Sequence, residues 1–274
     1  MGETSAGASW AGGAVTSGAR CVLAGNPGPM TLDGTNTWIL QEPGSDHVVV
    51  VDPGPDDVGH LRAVVDGVEA AGARVVLTLL THRHPDHAAG AARFAAMTNA
   101  PVRALDPAVR LGDEGLVEGD VVDVDGLVLR VVTTPGHTSD SVCLVLVNDA
   151  ALLTGDTVLG RGTTVIAQPD GRLDDYLESL EGLQRLASSG AVLTVLPGHG
   201  PPVPDAQATI GHYLRHRHER LEQVRVALAT GARTARQVVE QVYSDVDRSL
   251  WPVAEQSVRA QLDYLAEREG PVPI

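Results

Sequence analysis

The chain contains no lysine. All 20 of its basic residues are arginine, set against 35 aspartates and glutamates, and the formal net charge is −15. Nucleic-acid binders take most of their affinity from neutralised phosphates and show a basic footprint, so this balance counts against RNA or DNA as the main partner and leaves room only for a local basic funnel. Cysteine is also scarce. Cys21 and Cys143 are the only two, neither lies in a Cys-x-x-Cys pair, and both read as buried thiols rather than as a disulfide. No apolar run approaches the roughly 20 residues that span a bilayer. The first nineteen residues are rich in Gly, Ala and Ser, with neither a basic start nor an apolar stretch, so no secretory signal is visible. Ala6 breaks the myristoylation pattern that Met1-Gly2 begins. A soluble, cytoplasmic protein with a flexible tail over 1–19 is expected. With 274 residues, 43% of them hydrophobic, the chain is long enough for a full core, while the sequence sets no oligomeric state.

What the chain does have is concentrated in one segment, Thr81-His82-Arg83-His84-Pro85-Asp86-His87, directly after the apolar, β-branched run 74–80. That run predicts a buried strand, and Pro85 rules out simple helix continuation, so the segment projects as a loop from a strand end. Imidazole and carboxylate ligands bind zinc at about 2.0–2.2 Å, and four ligands from so short a loop cannot surround one ion without distortion. Two ions about 3.5–4 Å apart divide the loop naturally, His82 and His84 to one, Asp86 and His87 to the other.

Three later segments repeat the construction of strand end, glycine and ligand: Gly136-His137, Gly155-Asp156 and Gly198-His199. Glycine permits the sharp turn and close backbone approach that a site assembled from several strand ends requires. A carboxylate bridge at Asp156 then gives His82, His84, His137 and Asp156 at one metal and Asp86, His87, His199 and Asp156 at the other.

In this order the residues resemble the metallo-β-lactamase superfamily, with its His-x-His-x-Asp-His loop followed by a His, an Asp and a His. The resemblance covers roughly residues 20–230. The segments Asn26 to Trp38 and His216-Arg-His-Glu-Arg220 look like the lactamase-beta-like-2 subgroup, which includes single-strand endoribonucleases, polyketide-releasing thioesterases and many hydrolases of unknown substrate.

Strands are expected near 20–24, 36–41, 47–52, 74–80, 101–104, 121–124, 127–134, 141–147, 151–154 and 192–196. Helices are expected over 57–71, 88–98 and 174–187, the last with Asp174 and Asp175 as capping candidates. Two batches of strands separated by helices fit an α/β fold in which two mixed sheets pack face to face with helices outside, the αββα sandwich that the resemblance also implies; pattern alone permits a doubly wound sheet. The catalytic domain is placed at 20–204. Residues 205–274 read as a C-terminal helical segment, with helices over 205–230, 233–243 and 254–268 and a break at Leu250-Trp251-Pro252. By resemblance it is a winged-helix module whose wing is short or missing. Residues 212–274 hold nine Arg against nine Asp plus Glu, which favours a packing or dimerising role over nucleic-acid recognition.

The implied enzyme is a hydrolase in which water bridging two Zn2+ ions is the nucleophile, with Asp86 both ligating and orienting it. An aspartate bridge in place of a thiolate resembles the thioesterase, phosphodiesterase and nuclease branches, making β-lactam hydrolysis incidental at best. The oxygen-rich site also tolerates Fe or Mn. A small ester or thioester is the favoured substrate, because a thiolate, of thiol pKa about 8.5, leaves without a dedicated acid and none is evident in the motif loops. The alternative is a metal-dependent endoribonuclease acting on single-stranded RNA, and a third reading is a metal-binding scaffold. Tyr213, Arg217 and Arg220 on the long helix, with Arg83 in the metal loop, are candidate substrate contacts. Equally, the helix residues form a solvated face or ion-pair seam and Arg83 a structural clamp. His47 and His60 are expected to be surface or structural.

Overall fold

The computed structural model describes residues 9–244 and 246–270. One sheet orders β1 (Gly13–Ala14), β2 (Ala19–Leu23), β3 (Asn36–Leu40), β4 (His47–Val51), β5 (Arg74–Leu79) and β6 (Val102–Arg103) in sequence. The other runs β11 (Thr194–Pro197), β10 (Ala151–Gly155), β9 (Val142–Leu146), β8 (Leu127–Thr133), β7 (Val121–Val124). Both are mixed: β4, β5 and β6 are parallel, as are β10 and β11, and the remaining pairs are antiparallel.

The period-two alternation of strand side chains builds the layers. Trp38, Leu40, Val49, Val51, Leu77 and Leu79 face inward and meet Leu129, Val131, Val142, Leu144, Leu146, Leu153 and Leu196 of the second sheet in one buried cluster. The residues between them, Ile39, Val48 and Val50, face outward onto Leu61, Val64 and Val68 of helix α1 (Val58–Glu69) and Phe94 of α3 (Ala91–Thr98). On the far side, Cys143, Val145, Leu152 and Val195 pack under α4 (Leu173–Ser188) and α5 (Ala206–Ala229). The order is therefore helix, sheet, sheet, helix, the αββα sandwich, with α6 (Ala235–Val242) and α7 (Trp251–Glu269) completing the last layer in the same buried cluster. Both cysteines are buried free thiols.

Several expectations need correction. The described part of the 1–19 segment is not free: β1 pairs with β2, and Trp10 donates its indole N–H to Asn36 Oδ1 at 2.8 Å. Residues 1–8 lie outside the described residues. A boundary at 19/20 cuts β2. Residues 88–98 form no single helix, because Pro85 occupies the first position of a separate turn, α2 (Pro85–Ala88), which carries Asp86 and His87. Asp174 and Asp175 sit in the first turn of α4 rather than capping it; Arg172 holds the cap position without a side-chain bond. Leu250-Trp251-Pro252 does not break a helix but starts one, with Pro252 in the opening turn where its missing N–H costs nothing. Among the described residues no strand follows β11, so no wing is seen.

Candidate metal centre

Every ligand candidate leaves the C-terminal end of a strand, and those ends lie together. The loops after β4 and β5 adjoin because these strands are parallel; β8, β10 and β11 share one direction in the second sheet. Strand direction alone thus gathers 81–87, His137, Asp156 and His199 at one edge of the sandwich. Two glycines make the approach possible. Gly155 has φ +47°, and a Cβ there would sit 2.5 Å from Thr81 Oγ1; a Cβ on Gly198 would sit 2.7 Å from both Asp156 Oδ1 and His87 Cε1.

Two clusters result, His82, His84, His137 and Asp156 in one and Asp86, His87 and His199 in the other, each with its ligand atoms within 4.8 Å of one another. In the first, His84 Nδ1 lies 3.1 Å from His82 Nε2 and 3.0 Å from His137 Nε2. In the second, His199 Nε2 lies 3.2 Å from His87 Nε2 and 3.1 Å from Asp86 Oδ2. Asp156 spans the two: Oδ1 is 3.4 Å from both His87 Nε2 and His199 Nε2, while Oδ2 is 3.6 Å from His137 Nε2. These spacings match the edge of a tetrahedron of ligands about 2.0–2.1 Å from a centre, which is about 3.3 Å.

The outward hydrogen bonds decide what these nitrogens offer. His137 Nδ1 donates to the Val165 carbonyl at 2.9 Å, His199 Nδ1 to the Gly34 carbonyl at 3.1 Å, and His87 Nδ1 to Asp52 Oδ2 at 2.9 Å. A neutral imidazole has one N–H, so each of these rings, once neutral, would aim a bare Nε2 lone pair inward. Lone pairs converging on buried, mutually facing nitrogens need a cation. Asp156 Oδ1 makes the same demand, being buried without a hydrogen bond. The donor set therefore fits two metal ions, with His82, His84 and His137 around one position, Asp86, His87 and His199 around the other, and Asp156 between.

Charge among the side chains follows this geometry. Burial raises the Asp156 carboxyl, but His87 and His199 outweigh it and hold it well below the usual carboxylate range. Burial opposes charge on His199, yet Asp156 and Asp86 push it up to about 9. At His82 burial wins, keeping the ring well below the ordinary imidazole range.

Asp52 escaped the sequence reading. It is buried at the end of β4, accepts from the backbone N–H and hydroxyl of Thr81 at 2.8 and 2.7 Å as well as from His87, and has φ +53°. Its signal is Val51-Asp52-Pro53-Gly54, the same strand end, turn and polar residue found at the ligands.

The metallo-beta-lactamase superfamily model matches residues 30–199, more than half the chain. The chain belongs to this superfamily. A model of the beta-lactamase associated winged helix domain matches 234–272. Among superfamily relatives, the chain is 31% identical to a beta-lactamase-like protein 2 homolog of Drosophila melanogaster, covering 93% of this chain and 90% of that one. It is 32% identical to an atrochrysone carboxyl ACP thioesterase of Aspergillus fumigatus, covering 81% and 72%. It is 34% identical to the lactamase-like protein adaB of Aspergillus niger over 78% of its own length and spans 65% of that relative. Among solved structures, a beta-lactamase domain protein from Burkholderia ambifaria superposes with a TM-score of 0.80 at 26% identity, covering 94% and 88%.

The helix residues Tyr213, Arg217 and Arg220 and the loop residue Arg83 are engaged in contacts within the chain. Arg217 is 3% exposed, donates to the Thr164 carbonyl and lies over the Tyr176 ring, its centroid 5.0 Å away. Tyr213 is buried and its hydroxyl accepts the Leu159 N–H at 2.8 Å. Neither is a solvated face nor a cleft contact; both brace the 159–165 loop from behind. Arg220 lies over Tyr243 and donates to the Val242 carbonyl, joining α5 to the residues after α6. Arg83 pairs with Asp106 at 3.2 Å and Asp170 at 2.8 Å. His60 is buried against Thr37 Oγ1, and His47 pairs with Asp125 at the surface.

A cleft of about 160 Å³ opens beside the centre. His137 and Asp156 line it, with Met30 and Leu32 on one wall and Leu159, Arg161, Thr164 and Val165 on the other.

Proposed function

We propose that the chain is a dinuclear zinc hydrolase acting on a small ester or thioester. The observation that carries this reading is Asp156, whose two oxygens face different histidine clusters. Bound there, two ions would make water nucleophilic near neutral pH and polarise the oxygen of the bond attacked. The donor set of imidazoles and carboxylates also suits iron or manganese.

The chain's own residues would divide the remaining work. Asp86 is held below the usual carboxylate range, burial opposing and His199 and His87 prevailing, so it stays ionised and can orient a water by accepting a hydrogen bond from it. Apolar Leu32 and Leu159 line the cleft and would limit water at the reacting bond. The cleft lining contributes no titratable group outside the ligand set except Arg161. Without an acid to protonate an alkoxide, a thiolate leaving group is favoured, its thiol pKa being about 8.5. The thioesterase activity in the Aspergillus fumigatus relative's name accords with this.

RNA cleavage finds less support, since Arg217 and Arg220 are committed to internal contacts and offer no cationic path to the centre. The catalytic unit is assigned to the described residues up to 204, β1 and β2 included, and a packing role to the helices of 205–274. No helix of the described residues is long and apolar enough to cross a membrane.

Metal content by plasma emission, in wild type and Asp156→Ala, tests the centre; two zinc per chain falling in the variant is expected. Metal-replete protein inert against a broad panel of thioesters, esters and lactones would end the substrate reading.

A further inference from the structure

The two walls of the cleft are joined by one ion pair. Arg161 follows the Asp156 strand end on one wall, Asp33 lies beside Leu32 on the other, and Arg161 Nη1 donates to Asp33 Oδ2. The partners differ in what they keep free. The Asp33 side chain is 11% exposed, and its other oxygen accepts the Ser9 hydroxyl at 3.2 Å. The Arg161 side chain is 49% exposed, and Asp33 is its only hydrogen-bond partner among the described residues. A guanidinium carries five N–H donors in a planar fork suited to carboxylate or phosphate, so most of this fork has no protein partner among the described residues, in a side chain that lines the cleft.

Among the described residues Arg161 is also the only cationic side chain lining the cleft, in a chain of net charge −15. A cleft of about 160 Å³ has room for roughly five waters at about 30 Å³ each, enough for a short acyl group with the rest of the substrate outside. Arg161 lines this cleft with its side chain 49% exposed, within reach of the part of such a substrate that stays outside.

We propose that Arg161 determines specificity by pairing with an anionic group, carboxylate or phosphate, carried by the thioester substrate. This deepens the hydrolase reading above and rests on it. Asp33 holds the guanidinium in place when the cleft is empty, and the incoming anion shares it.

The test uses metal-replete full-length protein and three matched thioesters: butyryl-N-acetylcysteamine, which is neutral; glutaryl-N-acetylcysteamine, with a carboxylate on the acyl side; and butyryl-phosphopantetheine, with a phosphate on the thiol side. Wild type should prefer one anionic substrate over the neutral one by at least about tenfold in kcat/KM, mainly through KM, the size expected of a charge-assisted hydrogen bond. Which one it prefers identifies the source of the anion. Arg161→Gln should collapse that ratio, whereas Asp33→Asn, which breaks the same bridge but leaves the cation, should keep or raise it. A wild-type ratio near one, or equal losses in the two variants, overturns the proposal, because a merely structural bridge predicts that both variants behave alike. If none of the three is hydrolysed, the thioester reading fails separately. Calorimetric binding of glutarate and phosphopantetheine then decides on Arg161: weakening in Arg161→Gln but not in Asp33→Asn supports it, and equal binding in all three proteins overturns it.

Discussion

Asp52 Oδ2 accepts the Nδ1 hydrogen of His87 at 2.9 Å, and both residues are buried. That bond fixes the tautomer, so that Nε2 of His87 faces Asp156 and His199. Asp52→Asn keeps the volume but can present an N–H to the ring, turning the lone pair the wrong way. Loss of such a supporting bond typically costs about 10–100-fold in metal affinity. A competitive chelator titration should place Asp52→Asn in that range, and affinity equal to wild type would show the bond to be dispensable.

Gly198 tests the packing that brings the second cluster together. A Cβ there would meet Asp156 Oδ1 and His87 Cε1, each at 2.7 Å, so Gly198→Ala must displace a ligand or the β11 turn. Overpacking of this kind costs about 1–3 kcal/mol. The variant should fold with a lowered Tm and hold less metal per chain than wild type; full metal content with unchanged Tm would refute the close approach.

The ligand candidates were legible because four crowd one short loop after an apolar run and His137, Asp156 and His199 each follow a glycine at the end of another, and the strand directions deliver those ends to one edge. Asp52 was not, because a lone carboxylate before Pro-Gly reads equally as a turn. The long helix misled for a different reason. Tyr213, Arg217 and Arg220 read as substrate contacts or a solvated face, but the buried stripe of α5 runs Ala206, Ile210, Tyr213, Arg217, Leu221, Val224 and takes in the first two. Spacing shows which residues share a face; it does not show that an arginine's face turns inward when a carbonyl and an aromatic ring await it. Trp10 was lost to composition, since a Gly-, Ala- and Ser-rich stretch gives no sign that one indole pins it to Asn36.

The burial of Arg217 changes what its removal should do. Arg217→Ala leaves the Thr164 carbonyl without its donor and opens space against Tyr176. A buried acceptor left unpaired costs roughly 1–3 kcal/mol. Urea unfolding should show a loss of that size. A substrate contact would instead raise KM at undiminished stability, which would restore the role first expected of it.

In the metal-free protein His199 is pushed up to about 9, since Asp156 and Asp86 outweigh its burial, and His87 is raised well above the ordinary imidazole range with Asp156 and Asp52 outweighing burial there. Ligation needs both rings neutral, so at neutral pH the metal must displace protons. Apparent affinity should therefore climb between pH 6 and 9. The stability of the metal-free form runs the other way: a folded pKa raised above the unfolded value of about 6.5 contributes stability fully present below 6.5 and lost as pH rises through about 9. Both trends come from the same displaced protons, and one observable reads them. The Tm gain from metal, measured on chelator-stripped and replete protein, should be larger at pH 9 than at pH 6. A gain that shrinks toward pH 9 would mean that the imidazoles of the empty site are not held protonated by Asp156, and that the carboxylate does not lie between the two clusters in solution.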